Sequence, residues 1–302
     1  MRVFIAGGSG TIGVPLVRAL VRAGHQVCAQ TRSTAKRNDL LALGASVAVV
    51  DALDRDALIS AVIQARPTHV VHQLTALPKD GVRRESDLAA TNRLRIEGTR
   101  NLLDAAIRAG ARRFVVGSFA ILSEREGPAV EVSDEAAQAV RSMEAQTLEA
   151  TSRGAIEGVI LRYGLFYGPH TPSTEAMIDL VRKRRLPVVR NDASLLPVIH
   201  IDDAVSATVK ALDTAPAGGT YDIVDDHPAS MSEIADTIAA VAGAPRPIRV
   251  PAWLPKLVAP YMARVTSVHL PLSNGKARAE LHWEPRFHSM KDGLSAMMRH
   301  AA

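Results

Sequence analysis

Gly7, Gly10 and Gly13 stand three residues apart in Gly7-Gly8-Ser9-Gly10-Thr11-Ile12-Gly13, directly after the apolar run Val3-Phe4-Ile5-Ala6. The chemistry open to such a loop is anion binding. Glycine at the first position permits a tight turn, at the second lets the backbone approach a pyrophosphate, and at the third lets a helix pack closely on the strand. A helix opening near Thr11 adds free N–H groups, those of Thr11 and Ile12 among them, and the positive end of its dipole. Strand, glycine turn and helix in this order predict a nicotinamide dinucleotide bound over the three glycines.

The far end of that ligand would meet Gln30-Thr31-Arg32-Ser33. An NAD-selective site usually places a carboxylate here for the ribose hydroxyls, and this segment has none. Arg32 can pair with a 2′-phosphate, Ser33 or Thr31 can add a hydroxyl, and Lys36 and Arg37 raise the local positive potential. The reading is NADP in preference to NAD, with NAD possible. The alternative is an Arg32 that stacks on the adenine and leaves the two cofactors equivalent.

The elements that must position these groups alternate along the first 164 residues. Strands are predicted over 2–6, 26–30, 46–50, 68–72, 113–116 and 158–161. Helices are predicted over 11–23, 35–43, 55–65, 86–109 and 135–152, several closed by a glycine such as Gly24, Gly44 or Gly110. The pattern predicts an α/β fold, a Rossmann-type doubly wound parallel sheet covered on both faces. Right-handed crossovers place the first three strands on one side and the next three on the other, with the ligand at their carboxyl ends. Residues 1–164 form the dinucleotide-binding domain, with later segments returning to it. Residues 165–302, where glycine and proline are frequent, form mainly a smaller α/β substrate-binding domain.

Composition narrows the classes. The 302 residues are 47% hydrophobic and 22% charged, an ordinary globular balance. A net charge of +5 invites a nucleic-acid reading. The densest basic run, Arg182-Lys183-Arg184-Arg185, however ends a helical stretch, where cations complement the dipole. Aromatic content is only 4% and none interleaves with that run, so no nucleic-acid partner is expected. The lone cysteine, Cys28, lies in a strand pattern as a small core residue. No apolar stretch approaches the roughly 20 residues of a membrane span. No membrane or metal partner is expected, and a cytoplasmic location is.

Taken together, the segments resemble the extended branch of the short-chain dehydrogenase/reductase superfamily, the NAD-dependent epimerases and dehydratases. The likeness includes the glycine loop, Asp51-Ala52-Leu53-Asp54, Val70-Val71-His72-Gln73-Leu74-Thr75-Ala76 and Thr91-Asn92. Further on it includes Leu161-Arg162-Tyr163-Gly164-Leu165-Phe166-Tyr167-Gly168-Pro169, Val198-Ile199-His200-Ile201-Asp202-Asp203, and a C-terminal stretch from Ser273 to Pro285. The resemblance implies that Asp51 and Ala52 contact the adenine. It implies that Leu74, Thr75 and Ala76 line the central ribose and nicotinamide side, with Asn92 supporting that wall. Tyr163 would sit beside the nicotinamide, and Leu165, His170 and His200 on the substrate side. Asp51 closing a turn, His72 as a core histidine and Asp202 capping its helix are the structural alternatives.

The resemblance breaks at the chemistry. The superfamily uses a Ser or Thr after the fifth strand with a Tyr-x-x-x-Lys motif, the tyrosine transferring a proton. No tyrosine here has lysine four residues on. The aligned positions read as Arg141 and Ala145, with Glu149 matching a following glutamate, and the serine position reads as Phe119. Ser118 and Tyr163 remain as candidate catalytic groups. Ser118 has cofactor contact or strand capping as alternatives, and Tyr167, His170 and His200 are further candidate proton donors.

Three functions follow. The first is an NADP(H)-dependent oxidoreductase reducing a small hydrophobic carbonyl-type substrate with a non-standard proton donor. The second is a catalytically silent dinucleotide-binding sensor. The third is a sugar-nucleotide epimerase or dehydratase. The apolar residues Leu165, Phe166, Trp253, Leu254, Leu257, Tyr261 and Met262 favour a hydrophobic substrate if they line the cleft, with core packing as the alternative. A homodimer through the helices over 86–109 and 135–152 is possible.

Overall fold

The structure is a computed structural model and describes residues 1–78, 81–82, 84–121, 135–258 and 260–301. Its strands are β1 (Arg2–Ala6), β2 (Gln26–Thr31), β3 (Ser46–Val49), β4 (His69–His72), β5 (Arg113–Phe119) and β6 (Glu157–Tyr163). They continue as β7 (Leu165–Tyr167), β8 (Val188–Val189), β9 (Val198–His200), β10 (Thr220–Ile223) and β11 (Arg249–Val250). The helices of the first part are α1 (Gly13–Arg22), α2 (Arg37–Ala42), α3 (Arg55–Ala65), α4 (Ala89–Arg93), α5 (Thr99–Arg108) and α6 (Glu135–Ser152). Those of the second are α7 (Pro172–Arg182), α8 (Ile201–Thr214), α9 (Met231–Val241), α10 (Trp253–Val258), α11 (Pro260–Thr266), α12 (Gly275–Leu281) and α13 (Met290–Ala301).

Seven strands form one parallel sheet in the order β10-β6-β5-β4-β1-β2-β3. The order reverses beside β1, which opens the crevice above the carboxyl ends of β1 and β4. Alternation along each strand feeds two cores. Val3, Ile5, Val115 and Leu161 pack with α1, α8 and α12, while Phe4, Val70, Phe114 and Ile160 pack with α3, α5 and α6. Both faces are therefore buried, as the near-continuous apolar strands require.

Residues 165–302 divide between the main sheet and a separate core. β10 extends the main sheet, and α8 and α12 cover its face. The remainder pairs β7 with β9 and β8 with β11, around a third core that includes Tyr167, Leu196, Ile234, Ile238 and Leu294. Among the described residues no helix is long and apolar enough to cross a membrane.

Two elements differ from the sequence reading in ways that matter for the site. The helix predicted over 86–109 is a 3₁₀ turn at Glu85–Leu88, then α4, a π-helical segment at Leu94–Gly98, and α5. The Gln146 amide on α6 donates to the Ile96 carbonyl at 3.2 Å, and the Thr99 hydroxyl donates to the Arg95 carbonyl. These side chains supply partners that the wider turn would otherwise leave to neighbouring backbone. The strand predicted over 113–116 runs on to Phe119, because β6 pairs with it through Phe119↔Tyr163. Ser118 and Phe119 are thus fixed on a strand.

Candidate active site

The glycine loop is set by close approaches. Gly7 has φ +85°, and a Cβ there would fall 2.5 Å from the Gln73 carbonyl oxygen. A Cβ on Gly13 would fall 2.1 Å from the Gly7 carbonyl oxygen. Gly10 differs: its Cβ would meet only the Gly7 carbonyl, at 3.2 Å, and otherwise open space. Gln30 anchors the turn, its Oε1 accepting the Gly7 N–H at 2.9 Å while its amide donates to the Val50 carbonyl. α1 begins at Gly13, two residues later than predicted, so Thr11 and Ile12 belong to the turn that precedes it. Ile12 buries its side chain in the core. This backbone cradle, open only over Gly10, fits a pyrophosphate.

At the ribose end Thr31 is buried, its hydroxyl hydrogen-bonded with Ser9 at 2.9 Å and accepting the Ser33 N–H at 3.2 Å. Arg32 is exposed and, among the described residues, has no ion pair. Asp51 closes its own turn by accepting the Leu53 N–H at 2.9 Å, and the Ala52 carbonyl accepts from the Asn101 amide at 3.0 Å.

Beyond β4, Leu74 is buried, Thr75 exposed and Ala76 half-buried, the Ala76 N–H donating to the Thr91 hydroxyl at 3.0 Å. His72 is a core residue. Its Nδ1 accepts the Leu74 N–H and its Nε2 reaches Thr99 at 2.9 Å. Burial, aided by the Arg95 charge, lowers its pKa to about 4. Asn92 is 7% exposed; its Oδ1 accepts from Arg95 at 3.2 Å, while its buried Nδ2 has no partner among the described residues. An orphaned buried donor fits an acceptor atom of a bound ligand.

At the positions read as the missing motif Arg141 is half-buried and Ala145 exposed, and α6 carries no tyrosine or lysine. The buried residues of α6 are Ala136, Ala137, Ala139, Val140, Met143, Glu144 and Thr147. Ala145 and Glu149 are exposed, and Glu149 pairs with Arg153. The inward i, i+4 pairs are Ala136 with Val140, Ala139 with Met143, Val140 with Glu144 and Met143 with Thr147, and none supplies a tyrosine or a lysine. Glu144 went unremarked in the sequence. It is 5% exposed, accepts the Ser118 hydroxyl, and is clasped by the Arg162 guanidinium, Nε at 3.0 Å. The inward periodicity of α6 was the signal that would have found it.

The candidate proton donors are held elsewhere. Ser118 gives its single proton to Glu144. Tyr163 is buried, its hydroxyl bonded with Thr208 at 2.7 Å and accepting from Gln73 at 3.1 Å, and burial pushes its pKa up to about 12. That hydroxyl ties β4, β6 and α8 together, which corrects a catalytic reading of it. Tyr167 donates to Asp225 at 2.6 Å. His200 does not face the crevice: it is 2% exposed, with Tyr167 and Phe287 packed against its ring. Its Nδ1 accepts the Asp202 N–H at 3.2 Å, so His200, rather than Asp202, caps α8. Burial holds its pKa down near 4. His170 is exposed in a left-handed conformation, φ +58°.

Leu165 and Phe119, both half-buried, pack against the core of the smaller unit. Trp253 and Leu257 point outward to solvent, and the Met262 side chain lies outside the described residues. Among the described residues no group of three or more His, Cys, Asp and Glu is placed to hold a metal.

Comparison with known proteins agrees with this architecture. The model of the NAD dependent epimerase/dehydratase family matches residues 3–224. A "3-diazoavenalumate denitrifying reductase" from Streptomyces sp. is 38% identical, covering 97% of this chain and 99% of its own. A "2-alkyl-3-oxoalkanoate reductase" from Stenotrophomonas maltophilia is 28% identical over 82% of this chain and 77% of its own. Among solved structures, the UDP-glucose 4-epimerase of Thermus thermophilus in complex with NAD superposes with TM-score 0.80. It is 23% identical and covers 99% of this chain and 98% of that one, a likeness of fold.

Proposed function

The chain belongs to the NAD dependent epimerase/dehydratase family and is an NAD(P)-dependent enzyme of it, and from that premise we propose that it is an NADP(H)-dependent reductase of a small hydrophobic acceptor that takes no proton from the chain. The observation that carries this reading is the state of the proton donors. Among the described residues, the inward face of α6 is apolar apart from Thr147 and the ion-paired Glu144, Ser118 has given its proton to Glu144, and the Tyr163 hydroxyl is enclosed.

When bound, the dinucleotide supplies a hydride. A ketone accepting it must also gain a proton on oxygen. A diazonium group needs none: R–N₂⁺ gains hydride, becomes R–H and releases N₂, so charge and atoms balance. The name of the Streptomyces relative describes a reduction of that kind, which favours a diazo acceptor over the carbonyl first expected. The chain's own part is to bind and orient. Gly7, Gly10 and Gly13 admit the pyrophosphate, the Asn92 amide is free to donate to an acceptor atom, and Arg32 meets the 2′-phosphate that makes the cofactor NADP. Phe119 and Leu165 keep water from the acceptor.

A second reading, sugar-nucleotide epimerase or dehydratase, is echoed by solved structures such as the Thermus epimerase. The two separate in one assay. NADPH absorbance is followed with an aryl diazonium salt, a hydrophobic ketone and UDP-glucose in parallel. NADPH oxidation with the diazonium, giving arene and N₂ at a rate at least a hundredfold above the ketone, is expected. Conversion of UDP-glucose with no net NADPH change refutes the proposal, as does tight NADPH binding with no acceptor reduced.

A further inference from the structure

The three most exposed large hydrophobic side chains among the described residues are neighbours. Trp253, Leu257 and Val258 of α10 are 62, 74 and 75% exposed. Trp253 and Leu257 stand four residues apart and share one face of the helix, with Lys256 beside them. Ile248, just ahead of β11, is exposed as well. Single exposed hydrophobics are normal on a folded protein, whereas a group of them marks a surface that meets something else.

The charge of this segment is one-sided. Residues 237–279 hold Arg246, Arg249, Lys256, Arg264, Lys276 and Arg278 and no Asp or Glu. The whole chain has a net charge of only +5, so the remainder is close to neutral. Arg249, Arg264 and Arg278 meet Asp236, Glu85 and Asp226 from outside the segment. Arg246 and Lys256 are exposed and have no ion pair among the described residues. The helix is braced from behind. α11 packs on α10, its Tyr261 against Leu88, Ala136, Ala137 and Val140, and its Val265 against the core of the smaller unit.

We propose that α10 docks this protein on an anionic lipid surface. The tryptophan, leucine and valine enter the boundary between headgroups and acyl chains, and the unpaired cations beside them meet lipid phosphates. Tryptophan favours that boundary because its ring is apolar with one polar edge. Charge selects this occupant. A second copy joined face to face through α10 would set Lys256 against Lys256, a repulsion that an anionic surface turns into attraction. Contact of this kind needs a short apolar face and no spanning helix. Docking goes beyond the reductase reading and does not depend on it.

The test is flotation of the intact chain with vesicles of phosphatidylcholine alone and of equal parts phosphatidylcholine and phosphatidylglycerol. Binding to the anionic vesicles is expected to be roughly tenfold or more the tighter, and to fall as salt is raised. Tryptophan emission shifts to the blue on binding. Trp283 is 3% exposed and donates to the Ser206 hydroxyl at 2.8 Å, so that shift reports Trp253. Leu257→Ser weakens binding roughly tenfold or more, and Lys256→Gln about fivefold. Both positions are exposed, so Tm and NADPH affinity hold in both variants. Equal binding to the two vesicles, binding by Leu257→Ser as tight as wild type, or no vesicle binding overturns the proposal. A concentration-dependent dimer in sedimentation velocity that Leu257→Ser abolishes, with no vesicle binding, overturns it too and assigns the face to a second copy.

Discussion

Gly10 and Gly13 carry the same side chain, a hydrogen, for different reasons, and substitution separates them. A Cβ at Gly13 meets the Gly7 carbonyl at 2.1 Å, so Gly13→Ala strains the loop itself. At Gly10 the space is open but for one contact at 3.2 Å. Gly10→Ala is therefore expected to hold Tm within a few degrees while weakening NADPH binding at least tenfold. Gly13→Ala lowers both. Equal loss of stability in the two variants, read by thermal denaturation, rules out this division of roles. Arg32 gives the cofactor prediction. It is exposed and, among the described residues, without an ion pair, so Arg32→Ala changes stability by no more than about 0.5 kcal/mol. A charge-assisted bond to a phosphate is worth about 1.5–3 kcal/mol, so NADPH affinity falls by roughly ten- to a hundredfold while NADH affinity holds. Matching losses for both cofactors contradict the 2′-phosphate assignment.

At the scale of elements, the buried Glu144–Arg162 pair joins α6 to β6, and the Ser118 hydroxyl brings in β5. Removing one member of a buried pair strands the other charge, at a cost of about 3–5 kcal/mol, whereas an apolar replacement of both is often neutral. Glu144→Ala is thus expected to lose about that much stability in urea denaturation, and Glu144→Leu with Arg162→Met to recover most of it. A double variant as unstable as the single one shows that the pair does more than balance charge. The π-helical segment Leu94–Gly98 works at the same scale. It follows α4 directly, and across the junction Asn92 and Arg95, three residues apart and both buried, bond to each other.

Across the whole molecule, the C-terminal stretch is tied back by carboxylates. Asp203 accepts the Arg286 and Phe287 N–H groups at 2.9 and 3.0 Å, and Asp226 pairs with Arg278 and His288. Asp225, between them in space, is 2% exposed, and burial pushes its pKa up to about 8, helped by Asp203 and Asp226. The folded chain thus holds a proton that the unfolded chain releases near 3.8. Stability associated with Asp225 is full below that value and is lost as pH rises through about 8. His72 and His200 act in the opposite direction. Held down near 4 against 6.5, they contribute fully above 6.5 and lose that contribution as pH falls toward 4. Between pH 6.5 and 8 Asp225 acts without them, so unfolding free energy should decline by up to about 1.4 kcal/mol per pH unit. Asp225→Asn, which keeps an acceptor for the Tyr167 hydroxyl, flattens that slope. A slope unchanged by the substitution excludes Asp225 as its source.

The sequence by itself determined the α/β class, the strand order and the dinucleotide loop. Each rests on local pattern: apolar period, glycine spacing, and the handedness of a parallel crossover. What the tertiary structure decided was which polar groups are already taken. Tyr163 and His200 read as site residues along the chain, yet Thr208, Gln73, Tyr167 and Phe287 that enclose them come from other elements. The phase of α6 likewise brought out Glu144, which the sheet selects by burying it. A hydroxyl or imidazole counts as chemistry only when nothing else holds it, and its holders are distant in sequence, so packing alone settles the matter.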